Sequence, residues 1–114
     1  MKNYVTVGVA SLDEVKARAA AAFRGEPQGN HISFLTIELM WKTLSPKRAA
    51  VITAMTGAGV ISIREVARRV GRDVKAVHGD VTALIKAGVI DRQDRGVVFP
   101  YDAVHVDFVL GKGG

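Results

Sequence analysis

The feature that most constrains the fold is a pair of helix-starting signals eleven residues apart, with a glycine between them. Ser62 and Glu65 form a capping box, in which the serine hydroxyl accepts from an early helix N–H and the carboxylate reaches back. The helix they begin ends at Gly71, because glycine readily adopts the left-handed conformation that closes a helix. Asp73 then caps a second, longer helix that stops at Gly88. The spacing predicts a helix-turn-helix pattern.

The residues around this helix pair extend the pattern. Apolar side chains repeat at helical spacing in both helices: Ile63, Val66, Ala67 and Val70 in the first, and Val77, Val81, Leu84 and Ile85 in the second. After Gly88 the period becomes that of strands, and we predict a strand over 89–92, a turn over 93–96 and a returning strand over 97–99. A β-hairpin directly after the second helix is typical of the wing of a winged helix domain.

Flanking segments complete the predicted fold. Ser45-Pro46 starts a helix running to about Thr56, whose inward residues are expected to be Ala50, Val51, Ala54 and Met55. The N-terminal part predicts a strand over 4–9, a helix over 12–24, a strand over 32–35 and a short helix over 37–43. A last strand spans 103–110, with Val104, Val106, Phe108 and Leu110 on one face. We therefore expect an α+β fold: an N-terminal strand-helix-strand extension over 1–44 for dimerisation or partner binding, a winged helix-turn-helix domain over 45–110, and a frayed tail over 111–114.

Charge is distributed unevenly along the chain. The net charge is +5, and residues 46–88 hold eight basic and three acidic groups, so that segment carries all of the excess. A charge run in an arbitrary protein usually marks a solvated helix face. Basic groups confined to one segment instead indicate a site for a polyanion.

The predicted DNA-contacting residues follow from the helix pair. Outward positions of the second helix enter the major groove, where Lys75 faces guanine or phosphate and Val74 faces a thymine methyl group. Thr82 is expected to bond a phosphate or a base. Basic groups near the turn, on the wing and at the helix start at 45 suit phosphates. The full set is Lys47, Arg48, Arg64, Arg68, Arg69, Arg72, Val74, Lys75, His78, Gly79, Thr82, Arg92 and Arg95.

Some of these positions have two interpretations. His78 contacts DNA or is an ordinary exposed helix residue. Gly79 permits close approach of the backbone to DNA or is merely tolerated, at a cost of roughly 1 kcal/mol relative to alanine. Asp80 pairs with a neighbouring arginine, which we favour, or accepts from a cytosine amine.

Other functional classes find little support in the residues. The chain has no cysteine, and His31 and His105 lack metal-ligand spacing, so we expect neither a metal site nor a cofactor. No phosphate-binding loop or nucleophile elbow is present, and we expect the protein not to be an enzyme. No apolar stretch is long enough for a membrane span or a secretion signal, which predicts a cytoplasmic protein without a membrane partner.

A resemblance to a known family rests on four stretches: SIREVARRVGRDVKAVHGDVTALIKAGVI at 62–90, LSPKR at 44–48, FPYDAVHVDF at 99–108 and VGVASLDE at 7–14. They resemble a small family of predicted winged helix-turn-helix regulators of bacteria and archaea. The resemblance implies binding to double-stranded DNA and transcription regulation, and some related genes look like antitoxins. The chain departs from many winged helix proteins at Gly79, where those proteins have a long polar or basic side chain.

Two functions therefore remain open at the level of sequence. The first is a dimeric, sequence-specific DNA-binding regulator that places the helix over 73–87 in the major groove and the wing over 89–99 on the backbone. Dimerisation is expected because a single winged helix reads only a short half-site. The second is an antitoxin that binds a protein toxin through its N-terminal part, which is neutral within one charge, and regulates its own promoter.

Overall fold

A computed structural model describes residues 3–111 of the 114-residue chain. The fold is α+β, and the described part has five helices and five strands. The helices are α1 (Leu12–Phe23), α2 (Ile37–Thr43), α3 (Pro46–Met55), α4 (Ile63–Val70) and α5 (Val74–Lys86). The strands are β1 (Tyr4–Val9), β2 (Asn30–Phe34), β3 (Asp91–Gln93), β4 (Gly96–Val98) and β5 (Ala103–Asp107). Most of the predicted tail, 112–114, lies outside the described residues.

Each helix starts where the sequence predicts. Ser11, Thr36, Ser45 and Ser62 each accept from the backbone N–H three residues on, and Asp73 accepts from those of Lys75 and Ala76. Such a cap contributes about 0.5–2 kcal/mol to helix stability. Thr36 caps its helix although no glutamate completes a capping box there. The termini of the helix pair are therefore determined locally, by side chains that the sequence alone identifies.

The main core lies between the last three helices and the hairpin. α3, α4 and α5 pack against one another, and residues from all three are buried together with Val89, Ile90, Val97 and Phe99. The predicted inward face of α3 is partly wrong: Ala50 is exposed, whereas Ile52 is buried beside Val51 and Met55. The helix is rotated relative to the expectation, because the larger isoleucine gains more than alanine from leaving water.

The hairpin forms two residues later than predicted on its first strand. Val89 and Ile90 are fully buried, and both of their N–H groups donate to the carbonyl of Leu84 at the end of α5, at 3.0 and 3.3 Å. These two residues cap the C-terminal end of α5 and fill the core. The pairing of β3 with β4 therefore begins only at Asp91. The predicted second strand is shifted by one residue, to Gly96–Val98.

A second, three-stranded sheet has the order β2-β1-β5, and all of its strands are parallel. Its central strand buries Val5 and Val7. The predicted strand over 103–110 ends at Asp107, which pairs with Gly8 near the end of β1. The strand β5 belongs by sequence to the predicted 45–110 segment, yet it pairs with β1 of the 1–44 segment. The division near residue 44 stays a prediction, and the sheet joins its two sides.

The side chains of helix α1 are less buried than its apolar residues predict. It connects β1 to β2, and Arg18 donates to Ser33 Oγ at 2.9 Å. None of its residues is buried, and Phe23 is 96% exposed. Residues 3–111 therefore leave the apolar side of α1 largely in contact with solvent. None of the helices in this range has the length and apolar character needed to cross a membrane.

Candidate nucleic-acid interface

The first turns of α5 present the predicted contact residues to solvent. Val77, Val81 and Leu84 are fully buried and fix the helix on the core. The opposite side carries four of the predicted residues, Val74, Lys75, His78 and Gly79, and all four are exposed. Asp73 caps this end, so the helix begins abruptly with its first N–H groups held by a carboxylate. The result is a short exposed surface on a helix whose opposite side is packed on the core.

Gly79 leaves open space on this surface. A Cβ placed on Gly79 would meet no atom within 4 Å among the described residues. The backbone conformation is ordinary helix, so glycine is not required there for a special dihedral angle. The fold therefore does not need this glycine, although it costs a helix interior about 1 kcal/mol relative to alanine.

The predicted contact of Thr82 with DNA stays a prediction, and the placement of its hydroxyl group disfavours it. Thr82 Oγ1 is buried and has no hydrogen-bond partner within residues 3–111. Thr82 lies one residue after Val81 and two before Leu84, so it is at the margin of the buried face of α5. A hydroxyl that is enclosed by protein cannot donate to a phosphate or a base edge.

Asp80 holds two of the predicted phosphate ligands. Its Oδ1 accepts from Nε of Arg48 at 3.1 Å, and its Oδ2 accepts from Nη1 of Arg72 at 2.7 Å. Both arginine side chains are 24% exposed, and Arg48 also donates to the carbonyls of Lys42 and Thr43. Burial alone raises the pKa of Asp80, but the hydrogen bonds from Arg72 and Arg48 outweigh it, so the pKa lies below its ordinary value.

This arrangement confirms the interpretation that Asp80 pairs with a neighbouring arginine. It joins α3, which carries Arg48, to α5 and to the turn that carries Arg72. The two arginines are therefore parts of the framework between the helices. Their remaining N–H groups keep one net positive charge in the cluster, since two guanidinium groups share a single carboxylate.

A second cluster lies on α4. Glu65 accepts from Arg68 through both carboxylate oxygens, at 2.7 and 2.6 Å, and from Nε of Arg69 at 2.8 Å. Hydrogen bonds from Arg68 and Arg69 lower the pKa of Glu65 to about 2. The Arg68 side chain is 72% exposed, so it remains accessible to a phosphate, whereas Arg69 also donates to the carbonyl of Ala54. Arg68 is the better candidate for an external contact.

The remaining predicted cations are not engaged by carboxylates. Within residues 3–111 no Asp or Glu oxygen lies within 4 Å of the charged nitrogen atoms of Lys47, Arg64, Lys75, Arg92 or Arg95. All five residues are exposed. They come from the start of α3, the start of α4, the start of α5 and the hairpin. Sequence reasoning named all of them, but it did not separate them from the arginines that are held internally.

The hairpin is attached beside the start of α4. Ile61 and Val97 exchange two backbone hydrogen bonds, of 3.0 and 2.8 Å, and Val97 also pairs with Arg92 across the hairpin. Gly96 has φ of 155°, and a Cβ at this position would collide with the carbonyl of Ile61. Glycine is therefore required here for the hairpin to approach the chain before α4. The contact fixes where Arg92 and Arg95 lie relative to the helix pair.

Two other kinds of site that a fold can offer are a metal site and a groove for a ligand. No group of three or more His, Asp or Glu residues with metal-binding geometry occurs in the part of the chain that the structure describes. A groove of about 680 Å³ lies between α2, α3 and β5, with Trp41, Leu44, Ile52, Val104 and Val106 in its lining. The sequence did not predict this groove, because the residues that line it come from three separated segments.

The comparison with known families places the chain in one of them. Residues 43–106, which are more than half of the chain, match the sequence model of the HVO_A0114 family. The chain belongs to the HVO_A0114 family. The HVO_A0114 match runs from the end of α2 into β5 and contains every predicted contact residue, whereas β1, α1 and β2 lie outside it. No curated protein matches the chain.

Proposed function

We propose that the protein is a winged helix transcriptional regulator that binds double-stranded DNA through α5 and the hairpin. The observation that carries the proposal is the surface at the start of α5, where Lys75 and His78 are exposed on a helix whose opposite face is fully buried. Four further exposed cations without carboxylate partners among residues 3–111, Lys47, Arg64, Arg92 and Arg95, lie on α3, on α4 and in the hairpin.

The arrangement of elements supports the winged helix interpretation. Three mutually packed helices, α3, α4 and α5, are followed directly by the β3–β4 hairpin. Ile61 adds a short bridged segment to that hairpin, just before α4. This order of three helices, with a strand contact before the second helix and a wing after the third, is the winged helix order. In it, α5 is the recognition helix and the hairpin is the wing.

The geometry fits the major groove of B-form DNA. An α-helix with its side chains is about 10–12 Å across, and the groove is about 12 Å wide. With the start of α5 in the groove, Lys75 reaches the acceptor atoms of guanine, and Val74 reaches the methyl group of thymine. Gly79 then allows the α5 backbone to approach the DNA closely, which gives a role to a glycine that the fold does not need.

The exposed cations outside α5 suit phosphate contacts. Lys47 lies in the first turn of α3, where the free N–H groups of a helix start also favour an anion. Arg64 and Arg68 lie on α4, and Arg92 and Arg95 lie on the hairpin. Such contacts orient the protein on the duplex without reading its sequence. Arg48 and Arg72 contribute to DNA binding only indirectly. Their ion pairs with Asp80 hold α5 in place relative to α3 and the turn.

A matched pair of charge removals tests the proposal. Lys75→Ala and Lys16→Ala each remove one exposed positive charge from a helix, Lys75 from α5 and Lys16 from α1. Binding of fluorescent duplexes, followed by anisotropy, should weaken for Lys75→Ala and stay unchanged for Lys16→Ala. With a set of duplexes of different sequence, Lys75→Ala should also reduce the preference among them. Equal affinities of the two variants would contradict the role of α5.

The exposed side of α1 favours a second function, a protein partner for the N-terminal segment. Phe23 and Leu12 lie at opposite ends of α1, and both are more than half exposed. An antitoxin would bind its toxin through such a surface. Co-expression with the product of the adjacent gene tests this: the two proteins should co-purify, and Phe23→Ser should release the partner. Co-purification that survives this change and Leu12→Ser together would exclude α1 as the binding surface.

A further inference from the structure

The strand β5 is an edge of the three-stranded sheet. Only one of its sides pairs with β1, and its other side has no strand partner within residues 3–111. Natural edge strands are usually guarded by lysine, proline or a bulge, which prevent pairing with another chain. The segment 103–110 contains no lysine, arginine or proline, and its only acidic residue is Asp107. This edge is unguarded.

The apolar pattern of β5 continues beyond its last paired residue. Val104, Val106, Phe108 and Leu110 alternate along the chain and share one face in an extended conformation. The strand nevertheless ends at Asp107, whose partner Gly8 is the last residue of β1 that pairs with β5. Val109 and Leu110 are consequently more than 70% exposed. The chain carries a longer apolar strand pattern than its own sheet uses.

An apolar groove adjoins this edge. Val104 and Val106 line it from the strand, and Trp41, Leu44 and Ile52 line it from the helices, in a volume of about 680 Å³. Phe108 packs edge-to-face on Trp41 with ring centroids 5.3 Å apart, which extends the apolar surface past the end of β5. The other edge strand, β2, borders smaller grooves, of about 330 and 370 Å³, whose linings include the polar residues Gln28 and His31. The two edges therefore differ in what adjoins them, since the large apolar groove lies beside β5.

We propose that β5 pairs antiparallel with β5 of a second copy of this chain, which forms a continuous six-stranded sheet. A two-fold axis between antiparallel strands places one residue opposite itself, so opposed residues always have numbers of the same parity. Apolar even-numbered residues then meet apolar even-numbered residues without any adjustment. With His105, the middle residue of β5, opposite itself, Val104 lies opposite Val106 of the second copy on the face of the groove.

The same register also gives partners to the residues that follow Asp107. Phe108 of the second copy comes opposite Asp102, and Leu110 comes opposite Pro100, so the 108–110 segment runs past the end of the groove at Asp102 and Ala103. A stable interface buries about 800 Å² on each partner. That is about a tenth of the surface of this chain, which is 7498 Å² for the described residues. A five-residue ladder is only about 17 Å long, so we assign the rest of the buried area to the groove and to residues 108–110.

The first test is the mass of the full chain in solution without DNA, which keeps this proposal separate from the proposed function. Sedimentation equilibrium should give about twice the 12.2 kDa of one chain. Val106→Lys places a charge in the interface and should give a single-chain mass. Val60→Lys is the matched control, because Val60 is 43% exposed and Val106 is 39% exposed, and it should stay dimeric. Circular dichroism checks that both variants fold.

A disulfide tests the register directly, because the chain has no cysteine of its own. Opposed residues of antiparallel strands lie 4.5–5.5 Å apart at Cα, within the range of a disulfide. His105→Cys should form a covalent dimer on mild oxidation, and Val60→Cys should not. The proposal is overturned by a single-chain mass for the unaltered protein at micromolar concentration, by a dimer that Val106→Lys leaves intact, or by equal cross-linking of the two cysteine variants. None of these results bears on DNA binding by one copy.

Discussion

Arg72 donates through Nη1 to Oδ2 of Asp80 at 2.7 Å, and this ion pair ties the turn of the helix pair to its second helix. The other carboxylate oxygen is held by Arg48 from α3. A single acidic side chain thus fixes the relative positions of all three helices on their polar side. The orientation of α5, the proposed recognition helix, depends on a residue whose two carboxylate oxygens are both held by arginines.

Replacing Asp80 by asparagine should destabilise the protein by about 1.5–3 kcal/mol, because two half-buried arginines lose a charged acceptor. Urea unfolding, followed by circular dichroism, measures this change. Asp94→Asn is the control, since Asp94 is exposed in the hairpin turn, and it should change the free energy of unfolding by less than about 0.5 kcal/mol. Equal effects of the two changes would show that Asp80 does not organise the helices.

Gly79→Ala should make the protein more stable and a poorer DNA binder. The methyl group enters open space and removes the cost of a glycine in a helix, which raises the free energy of unfolding by about 1 kcal/mol. On the DNA, the same methyl group would occupy the space between backbone and groove. Thermal unfolding and anisotropy binding on one preparation measure both effects. Higher stability with unchanged affinity would show that Gly79 is only tolerated.

Thr82→Val should stabilise the protein by about 1–3 kcal/mol, because it replaces a buried hydroxyl that has no partner by a methyl group of the same shape. DNA affinity and sequence preference should not change, since the hydroxyl is enclosed. Chemical denaturation and binding to a set of duplexes measure the two effects. A loss of preference among duplexes would restore Thr82 to the contact surface.

Acid should weaken the fold through the two carboxylate clusters. The pKa of Glu65 is lowered from 4.5 to about 2, and that of Asp80 is also lowered, so both stabilise the folded state while they are ionised. Their contribution is complete above about pH 4.5 and is lost as the pH falls through the folded-state pKa values toward 2. Unfolding free energies measured from pH 6 to 2.5 should fall less steeply for Glu65→Gln than for the unaltered chain. Parallel slopes would contradict the role of the Glu65 cluster.

The sequence predicted the helices well because their starts are encoded locally. Ser62, Ser45 with Pro46, and Asp73 each act within one helical turn, and each begins a helix in the structure where expected. The predicted bond from the Ser62 N–H to the Glu65 carboxylate is not formed among residues 3–111, because that carboxylate accepts from Arg68 and Arg69 instead. What depends on distant residues was missed. The bonds from Val89 and Ile90 to Leu84 shorten β3, and the pairing of β5 with β1 joins segments almost a hundred residues apart.

In the candidate site, too, the features encoded locally were predicted and those that depend on distant residues were not. The positions of Lys75, His78 and Gly79 follow from helical periodicity, and all three are exposed as predicted. Periodicity does not reveal that Asp80 holds Arg48, which is 32 residues away in the chain. Periodicity also puts Thr82 at the margin between the buried and the exposed face of α5. At such a position it does not predict whether the hydroxyl group is exposed or buried.

The salt dependence of duplex binding tests whether this protein binds DNA through its exposed cations. Five phosphate contacts, made by Lys47, Arg64, Arg68, Arg92 and Arg95, predict a slope of log K against log salt of about −4.5 for each bound copy. The affinity should then fall by roughly 500-fold between 50 and 200 mM salt. Arg64→Ala should reduce the slope by about one, because it removes one phosphate contact. Affinity that is independent of salt, or no retention of duplex DNA at 50 mM salt, would contradict DNA binding through these cations.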